Sequence, residues 1–155
     1  MKKLIVMLFC FIATSTVVTA QTTDHLLEKN RAFTGATATQ KHYHAIYQLD
    51  TNDPKRIEKA IRNINNALND PRLAGKIQIE LIAFGGGTDA YLKGGKYEQD
   101  LKALAEKGVI VAQCNNTLKE RKITRDQLYD FIGIVPSGNG ELIIRQAQGW
   151  SIIKP

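Results

Sequence analysis

The stretch VIVAQCNNTLKE, residues 109–120, decides the fold of this chain. It opens with an apolar run of the kind found in strands that are buried on both faces of a sheet. Cys114 and three polar residues follow this run at once. In open parallel sheets, ligands and reactive groups gather at the carboxyl ends of the strands, where strand turns into helix. The stretch therefore predicts a buried parallel strand with Cys114 at the functional edge of the sheet.

Strands and helices alternate on both sides of this stretch. The further predicted strands are HYHAIYQLD (42–50), IQIELIAF (77–84), IGIVP (132–136) and WSIIKP (150–155). Helices are predicted over 54–68, 97–107, 116–121 and 138–149, and after Thr124, where Leu128 and Phe131 would share one side. This alternation predicts an α/β fold with a mainly parallel sheet of about five strands between helices.

The N-terminal segment has the three-part pattern of a secretory signal peptide. Lys2 and Lys3 precede an apolar run from Leu4 to about Thr14, and polar residues then lead to Val18-Thr19-Ala20. The run is shorter than the roughly 18 residues of a spanning helix. We therefore predict cleavage after Ala20, export to the periplasm or beyond, and no stable membrane insertion afterwards. Residues 21–41 are predicted to be a flexible lead-in with a short helical piece over 23–30, and residues 42–155 the folded domain.

The charge and cysteine content narrow the class of protein. Loss of Lys2 and Lys3 with the signal peptide would lower the net charge from +6 to +4. The basic residues are scattered and are not interleaved with aromatic ones, so nucleic acid is not an expected partner. Cys114 would be the only cysteine left, because Cys10 leaves with the peptide. In an oxidising compartment such a cysteine is buried and inert, paired between chains, or kept as a thiol for use.

Cys114 is the main candidate for chemistry. If a helix begins near Asn115, its first free N–H groups point at the sulfur, favour the thiolate and lower the thiol pKa. Asn115, Asn116 and Thr117 add polar groups that can stabilise a sulfur anion or a bound ligand. No second cysteine is near, so a dithiol cycle within one chain is excluded. A nucleophilic thiol and a buried core cysteine both remain open, and a fully buried sulfur would contradict the first.

A glycine-rich segment follows the strand at 77–84. GGGTDA (85–90) fits the spacing of a dinucleotide-binding fingerprint. However, the glycines at 94 and 95 interrupt the helix that such a fingerprint requires, and the next strand ends in a cysteine where an acidic residue is expected. We therefore predict no nucleotide cofactor. Gly85, Gly86 and Gly87 are instead predicted to begin a flexible loop that covers a ligand. Three side chains on this loop are expected to be solvated, and to contact the ligand if the loop closes: Asp89, Tyr91 and Lys93.

Two histidines raise the possibility of a metal site. His42 and His44 are two apart on a predicted strand and would share one face, as a metal pair can. A third ligand is missing nearby, since His25 lies in the lead-in. We therefore predict no metal. Trp150 is expected to pack in the core or to form a wall of the site.

Four stretches resemble the DsrE/DsrF-like (YchN-like) family of small α/β proteins: residues 48–68, 79–87, 109–118 and 135–155. The C-x-N-T-L element that begins at Cys114 and the ending GWSIIKP (149–155) are the most telling parts. The resemblance implies a three-layer α/β sandwich and assembly into homotrimers or homohexamers. In the sulfur-relay members, one cysteine carries sulfur as a persulfide to a partner protein. Cys114 matches that cysteine, and Asn116 and Thr117 match residues that follow it.

The sequence thus predicts an exported DsrE-like protein in which Cys114 binds or transfers sulfane sulfur, as a sulfurtransferase-like carrier with a donor or acceptor protein as partner. Asn115, Asn116, Thr117 and the following backbone amides would stabilise the anion. Two other functions stay open. One is a non-enzymatic protein that binds a small molecule in a pocket lined by Cys114. The other is a ring-forming subunit whose partner performs the chemistry.

Overall fold

The computed structural model describes residues 15–155. A boundary after Thr37 separates an N-terminal unit from the α/β domain, residues 38–155. The N-terminal unit contains helix α1, Ser15–Arg31, which includes the helical piece predicted at 23–30 and the predicted cleavage position after Ala20. The first 14 residues of the predicted signal peptide lie outside the described residues, so the signal peptide remains a prediction.

The domain alternates strands and helices as the sequence predicts. Its regular elements are, in chain order, β1 Tyr43–Leu49, α2 Pro54–Asn69, β2 Ile77–Ala83, α3 Glu98–Glu106, β3 Ile110–Cys114, α4 Asn115–Arg121, β4 Gly133–Val135, α5 Gly138–Ala147 and β5 Ser151–Ile153. Short 3-10 turns cover Gly85–Tyr91 and Arg125–Gln127. Asp53 caps α2, because its side chain accepts a hydrogen bond from the Lys55 N–H at 3.0 Å.

The five strands form one parallel sheet in the order β4-β3-β2-β1-β5. The predicted α/β class with a mainly parallel sheet of about five strands is confirmed, and the described sheet is wholly parallel. Strand β3 lies between β2 and β4, with Cys114 opposite Val135 of β4. The carboxyl ends of these three strands therefore meet around Cys114.

The sheet has two unequal faces, since alternate residues of each strand point to opposite sides. Ile79, Leu81 and Ala83 of β2 belong to the larger core, together with the apolar stripes of α2 and α3 and with Leu118 of α4. Ile82 belongs to a smaller core with Ile46, Ala112 and Trp150, against which Leu142 of α5 packs. Helices thus pack on both faces, and the three-layer arrangement is confirmed.

The glycine-rich segment, predicted as a flexible loop, is a packed turn in the structure, and its covering of a ligand stays a prediction. Residues Gly85–Tyr91 form a 3-10 helix. A Cβ atom on Gly87 would lie 2.0 Å from the Leu49 carbonyl oxygen, so the turn sits directly on the end of β1. Tyr91 was expected to be solvated, but it is fully buried and its hydroxyl donates to the Leu81 carbonyl at 3.0 Å. Buried turn residues and an anchored phenol tie this segment to the core.

The helix predicted after Thr124 is shortened to one 3-10 turn. Thr124 and Gln127 do form a capping box there. Leu128 then forms an antiparallel bridge with Leu92, and the Arg125 guanidinium donates to the carbonyls of Tyr129 and Ile132. These contacts hold the chain after Gln127 in a path that is not helical. Leu128 is nevertheless buried, and Phe131 packs against the larger core, as the apolar pattern predicts.

Candidate functional site

Cys114 lies where β3 passes directly into α4. It is the last residue of β3 and the N-cap residue of α4, and it is the one free cysteine in the part of the chain that the structure describes. Its residue surface is 5% exposed. Cys114 is therefore buried, at the carboxyl edge of the sheet predicted for it.

Polar groups from two helices stabilise a negative charge on the sulfur. Burial raises the pKa of the Cys114 thiol, but the backbone N–H groups of Thr117, Gly138 and Asn116 and the Thr117 hydroxyl oppose this effect, and the net pKa is lowered. Cys114 makes no side-chain capping hydrogen bond to α4. These groups therefore act on the sulfur mainly as nearby dipoles, which favour the thiolate over the thiol.

Thr117 links the sulfur to the glycine turn. Its side chain is buried, and its hydroxyl oxygen accepts a hydrogen bond from the Gly85 N–H at 3.1 Å. A hydroxyl that accepts at its oxygen still has its own hydrogen to donate. The Thr117 hydroxyl can thus donate toward Cys114, and Gly85 supports the site through Thr117.

Gly138 is a site residue that sequence reasoning missed. It is the first residue of α5, which begins after the N-cap residue Ser137, whose hydroxyl accepts from the Gly140 N–H at 3.2 Å. Gly138 is buried, and a Cβ atom there would lie 2.7 Å from the Phe84 ring. The cap-like SGNG stretch at 137–140 marks a helix start, but only the pairing of β4 with β3 brings that start to Cys114.

The remaining predicted anion-stabilising residues have different positions. Asn115 is half-buried and the Asn116 side chain is exposed, so Asn116 contributes its backbone N–H. Gly86 approaches the backbone of Thr51 and Asn52, away from β3. The Gly87 N–H donates to the Phe84 carbonyl at 3.0 Å and is therefore engaged within its own turn.

Gln113 fixes the end of β3 from the opposite face of the sheet. It is fully buried, and its side-chain N–H₂ group donates to the Thr88 hydroxyl and to the Cys114 carbonyl, both at 2.9 Å. Arg121, at the end of α4, donates to the Gly85 carbonyl at 2.9 Å and pairs with Asp89. These contacts hold β3, α4 and the glycine turn as one frame around the thiol.

The histidine pair lies at the other end of β1. His42 and His44 line a cavity of about 450 Å³ that also involves the beginnings of β1 and β5. The His44 ring lies 5.0 Å from the Trp150 ring, between centroids. Within residues 15–155 the structure shows no cluster of three or more side chains that could hold a metal ion. Trp150 is buried in the smaller core, which is the packing role expected for it.

None of the helices described within residues 15–155, including α1, is both long enough and apolar enough to cross a membrane.

Solved structures with the same fold exist. The chain is 29% identical to a protein of unknown function, MTH1491 from Methanobacterium thermoautotrophicum, with a TM-score of 0.69, over 73% of this chain and 99% of the other. It is 16% identical to the ychN protein from E. coli, with a TM-score of 0.58, over 75% of this chain and all of the other. A Bacteroides thetaiotaomicron protein of unknown function, BT1422, is 12% identical with a TM-score of 0.59 and covers 78% of this chain.

Sequence comparison identifies the family. No curated protein matches the chain. The sequence profile of the DsrE/DsrF-like family matches residues 41–155, which is the whole α/β domain from just before β1. On this match, the chain belongs to the DsrE/DsrF-like family.

Proposed function

We propose that Cys114 accepts sulfane sulfur as a persulfide and passes it to an acceptor thiol. One observation carries the proposal: N–H groups from α4 and from the start of α5 both face the sulfur and lower its pKa despite its burial. The thiolate is the nucleophilic form of cysteine, so a lowered pKa makes more of it available near neutral pH. Membership of a family that includes sulfur-relay proteins agrees with this reading.

The chemistry needs no metal or nucleotide. The Cys114 thiolate attacks a sulfane sulfur of an inorganic polysulfide, a new S–S bond forms, and the electron pair of the broken S–S bond leaves with a polysulfide that is one sulfur shorter. In the second step, an acceptor thiolate attacks the outer sulfur, and Cys114 leaves as a thiolate. The polysulfide supplies sulfur already at the oxidation level of the persulfide, so no separate oxidant is required. We expect the same N–H groups to stabilise a persulfide anion on Cys114.

The enclosure of Cys114 bears on the kind of donor. With 5% of the residue surface exposed, small sulfur species have easier access than a folded protein partner. We therefore expect inorganic polysulfide to load the isolated protein.

The direct test is the intact mass of the folded protein after brief exposure to polysulfide, beside Cys114→Ser. We expect the mass to increase by one sulfur atom. A reductant should remove this increase, and Cys114→Ser should not show it. Iodoacetamide added before the polysulfide should block the gain, which controls for sulfur held elsewhere. No gain on a folded protein would refute the sulfur carrier.

A second candidate function is a non-enzymatic protein that binds a small molecule beside Cys114, and the low exposure of the thiol favours it. Titration of thiol alkylation against pH separates the two. A low apparent pKa supports the carrier, whereas alkylation that occurs only after unfolding supports a buried cysteine that lines a pocket or the core.

We further propose that the chain forms a homo-oligomer, as trimer or hexamer, whether or not the thiol reacts. Ile143 and Ile144 on α5 are 69% and 53% exposed, and Ile152 on the edge strand is partly exposed as well. Large apolar side chains of this kind are common at subunit interfaces. Light scattering should give a multiple of the chain mass, and Ile143→Lys should lower it. A monomer in both proteins would contradict the proposal.

Export is also proposed, on the sequence of the first twenty residues. Expression with its own N-terminus in a bacterium should give a protein in the periplasmic fraction that begins at Gln21. Full-length protein in the cytoplasm would contradict both the cleavage and the compartment.

A further inference from the structure

A buried ion pair joins α5 to the middle of the sheet. Glu80 of β2 is 0% exposed, and its Oε2 atom accepts a hydrogen bond from Arg145 Nε at 2.8 Å and lies 2.7 Å from Arg145 Nη2. Arg145 Nε also lies 2.9 Å from Glu141 Oε1, one turn earlier on α5. The Arg145 guanidinium lies 4.1 Å from the centre of the Trp150 ring. Arg145 is therefore fixed from three sides.

Burial of this ion pair carries a desolvation penalty. The Glu80 Oε1 atom has no hydrogen-bond partner although it is buried. Replacing a buried ion pair with packed apolar side chains is often neutral or stabilising, so such a pair is weak evidence for a contribution to stability. Its geometry instead fixes one orientation of α5 over β2, because the planar guanidinium binds a carboxylate only in a narrow range of directions.

The same helix carries Gly138, whose N–H faces Cys114. Gly138 and Arg145 lie seven residues apart on α5, about 10.5 Å along its axis at 1.5 Å per residue, so they move together when the helix shifts. We propose that the Glu80–Arg145 pair is a positioning device that holds the start of α5 against Cys114. This inference rests on the proposed function, in which the reactivity of that thiol matters.

Direct action of the two charges on the thiol predicts a different result. Glu80 is in register with Ile110, four residues before Cys114 on β3, which places it roughly 13 Å away along the sheet. The two charges would act on the thiolate with opposite signs. Loss of the Glu80 charge alone would make thiolate formation easier, and loss of the Arg145 charge alone would make it harder. Positioning predicts that both losses make it harder.

The test compares Glu80→Gln, Arg145→Met and the double variant with the wild type. The readout is the apparent pKa of Cys114 from iodoacetamide alkylation against pH, with circular dichroism and Trp150 fluorescence to verify folding. We expect a higher thiol pKa in all three variants and alkylation at pH 7 slowed roughly three- to tenfold, as for one weakened polar contact to a charged group. The double variant should equal the single ones, since either change releases the same helix.

The matched control is Lys96→Met, which removes the exposed Lys96–Glu58 pair and should leave the thiol pKa unchanged. If Arg145→Met does not fold, Arg145→Lys keeps the charge but cannot place two nitrogens on Glu80 Oε2, and it should also raise the thiol pKa. This inference alone would be refuted if the thiol pKa shifted in opposite directions in Glu80→Gln and Arg145→Met. It would also be refuted if the thiol pKa were unchanged in both variants while the wild-type thiol is reactive. A wild-type thiol without a lowered pKa would refute the proposed function as well.

Discussion

Replacing Thr117 with valine should weaken the site in two measurable ways. Valine has the shape of threonine but lacks the hydroxyl that faces Cys114 and accepts from the Gly85 N–H at 3.1 Å. Removal of one polar contact to a charged group is worth about 1 kcal/mol, which corresponds to a roughly fivefold fall in the thiolate fraction near neutral pH. The unpaired Gly85 N–H should lower the free energy of unfolding by about 1 kcal/mol as well.

The assay for Thr117→Val is the rate of iodoacetamide alkylation from pH 5 to 10, with urea unfolding on the same preparations. Thr117→Ser keeps the hydroxyl and is the matched control, so it should retain most of the wild-type reactivity. An apparent thiol pKa in Thr117→Val equal to that of the wild type would refute the assignment of Thr117 to the site. A fall in stability without a change in thiol pKa would leave Thr117 only a structural role.

Three further changes test other parts of the structure. Gly87→Ala should lower the free energy of unfolding in urea by roughly 3 kcal/mol or more, because the new Cβ would lie 2.0 Å from a backbone oxygen that cannot move aside. The control is Gly133→Ala, whose new Cβ has its nearest contact at 3.5 Å and should change urea unfolding little. Tyr91→Phe should cost about 1 kcal/mol in the same assay, since it leaves the buried Leu81 carbonyl without its side-chain donor, and an unchanged midpoint would contradict the anchored turn. The pKa of Cys114 is lower in the folded than in the unfolded state, so the unfolded state binds more protons at pH values between the two pKa values. The free energy of unfolding should therefore rise with pH across that window and fall as pH drops through the folded-state pKa. Urea unfolding from pH 6 to 9 should show this rise in the wild type and not in Cys114→Ser; parallel curves would contradict it.

Local sequence signals were sufficient where neighbouring residues decide the structure. Asp53 and Pro54 mark the start of α2, and the apolar run before Cys114 marks a strand that ends at an N-cap. The helix after Thr124 was predicted from similar signals and is wrong, because the bridge of Leu128 with Leu92 competes with helical hydrogen bonding. Propensity and capping could not reveal that contact, since it joins residues far apart in the chain.

The sequence by itself determined the α/β class, the five parallel strands and the place of Cys114 at a strand-to-helix junction, because hydrophobic period and helix caps are local properties. Only the tertiary structure decided what surrounds the sulfur. Gly138 reaches Cys114 because β4 pairs with β3, and Arg145 reaches Glu80 because α5 crosses the sheet above β2. The glycine turn, too, is packed because Gly87 rests on the end of β1. Strand order and helix placement bring these residues together, and neither is encoded in the spacing of any single stretch.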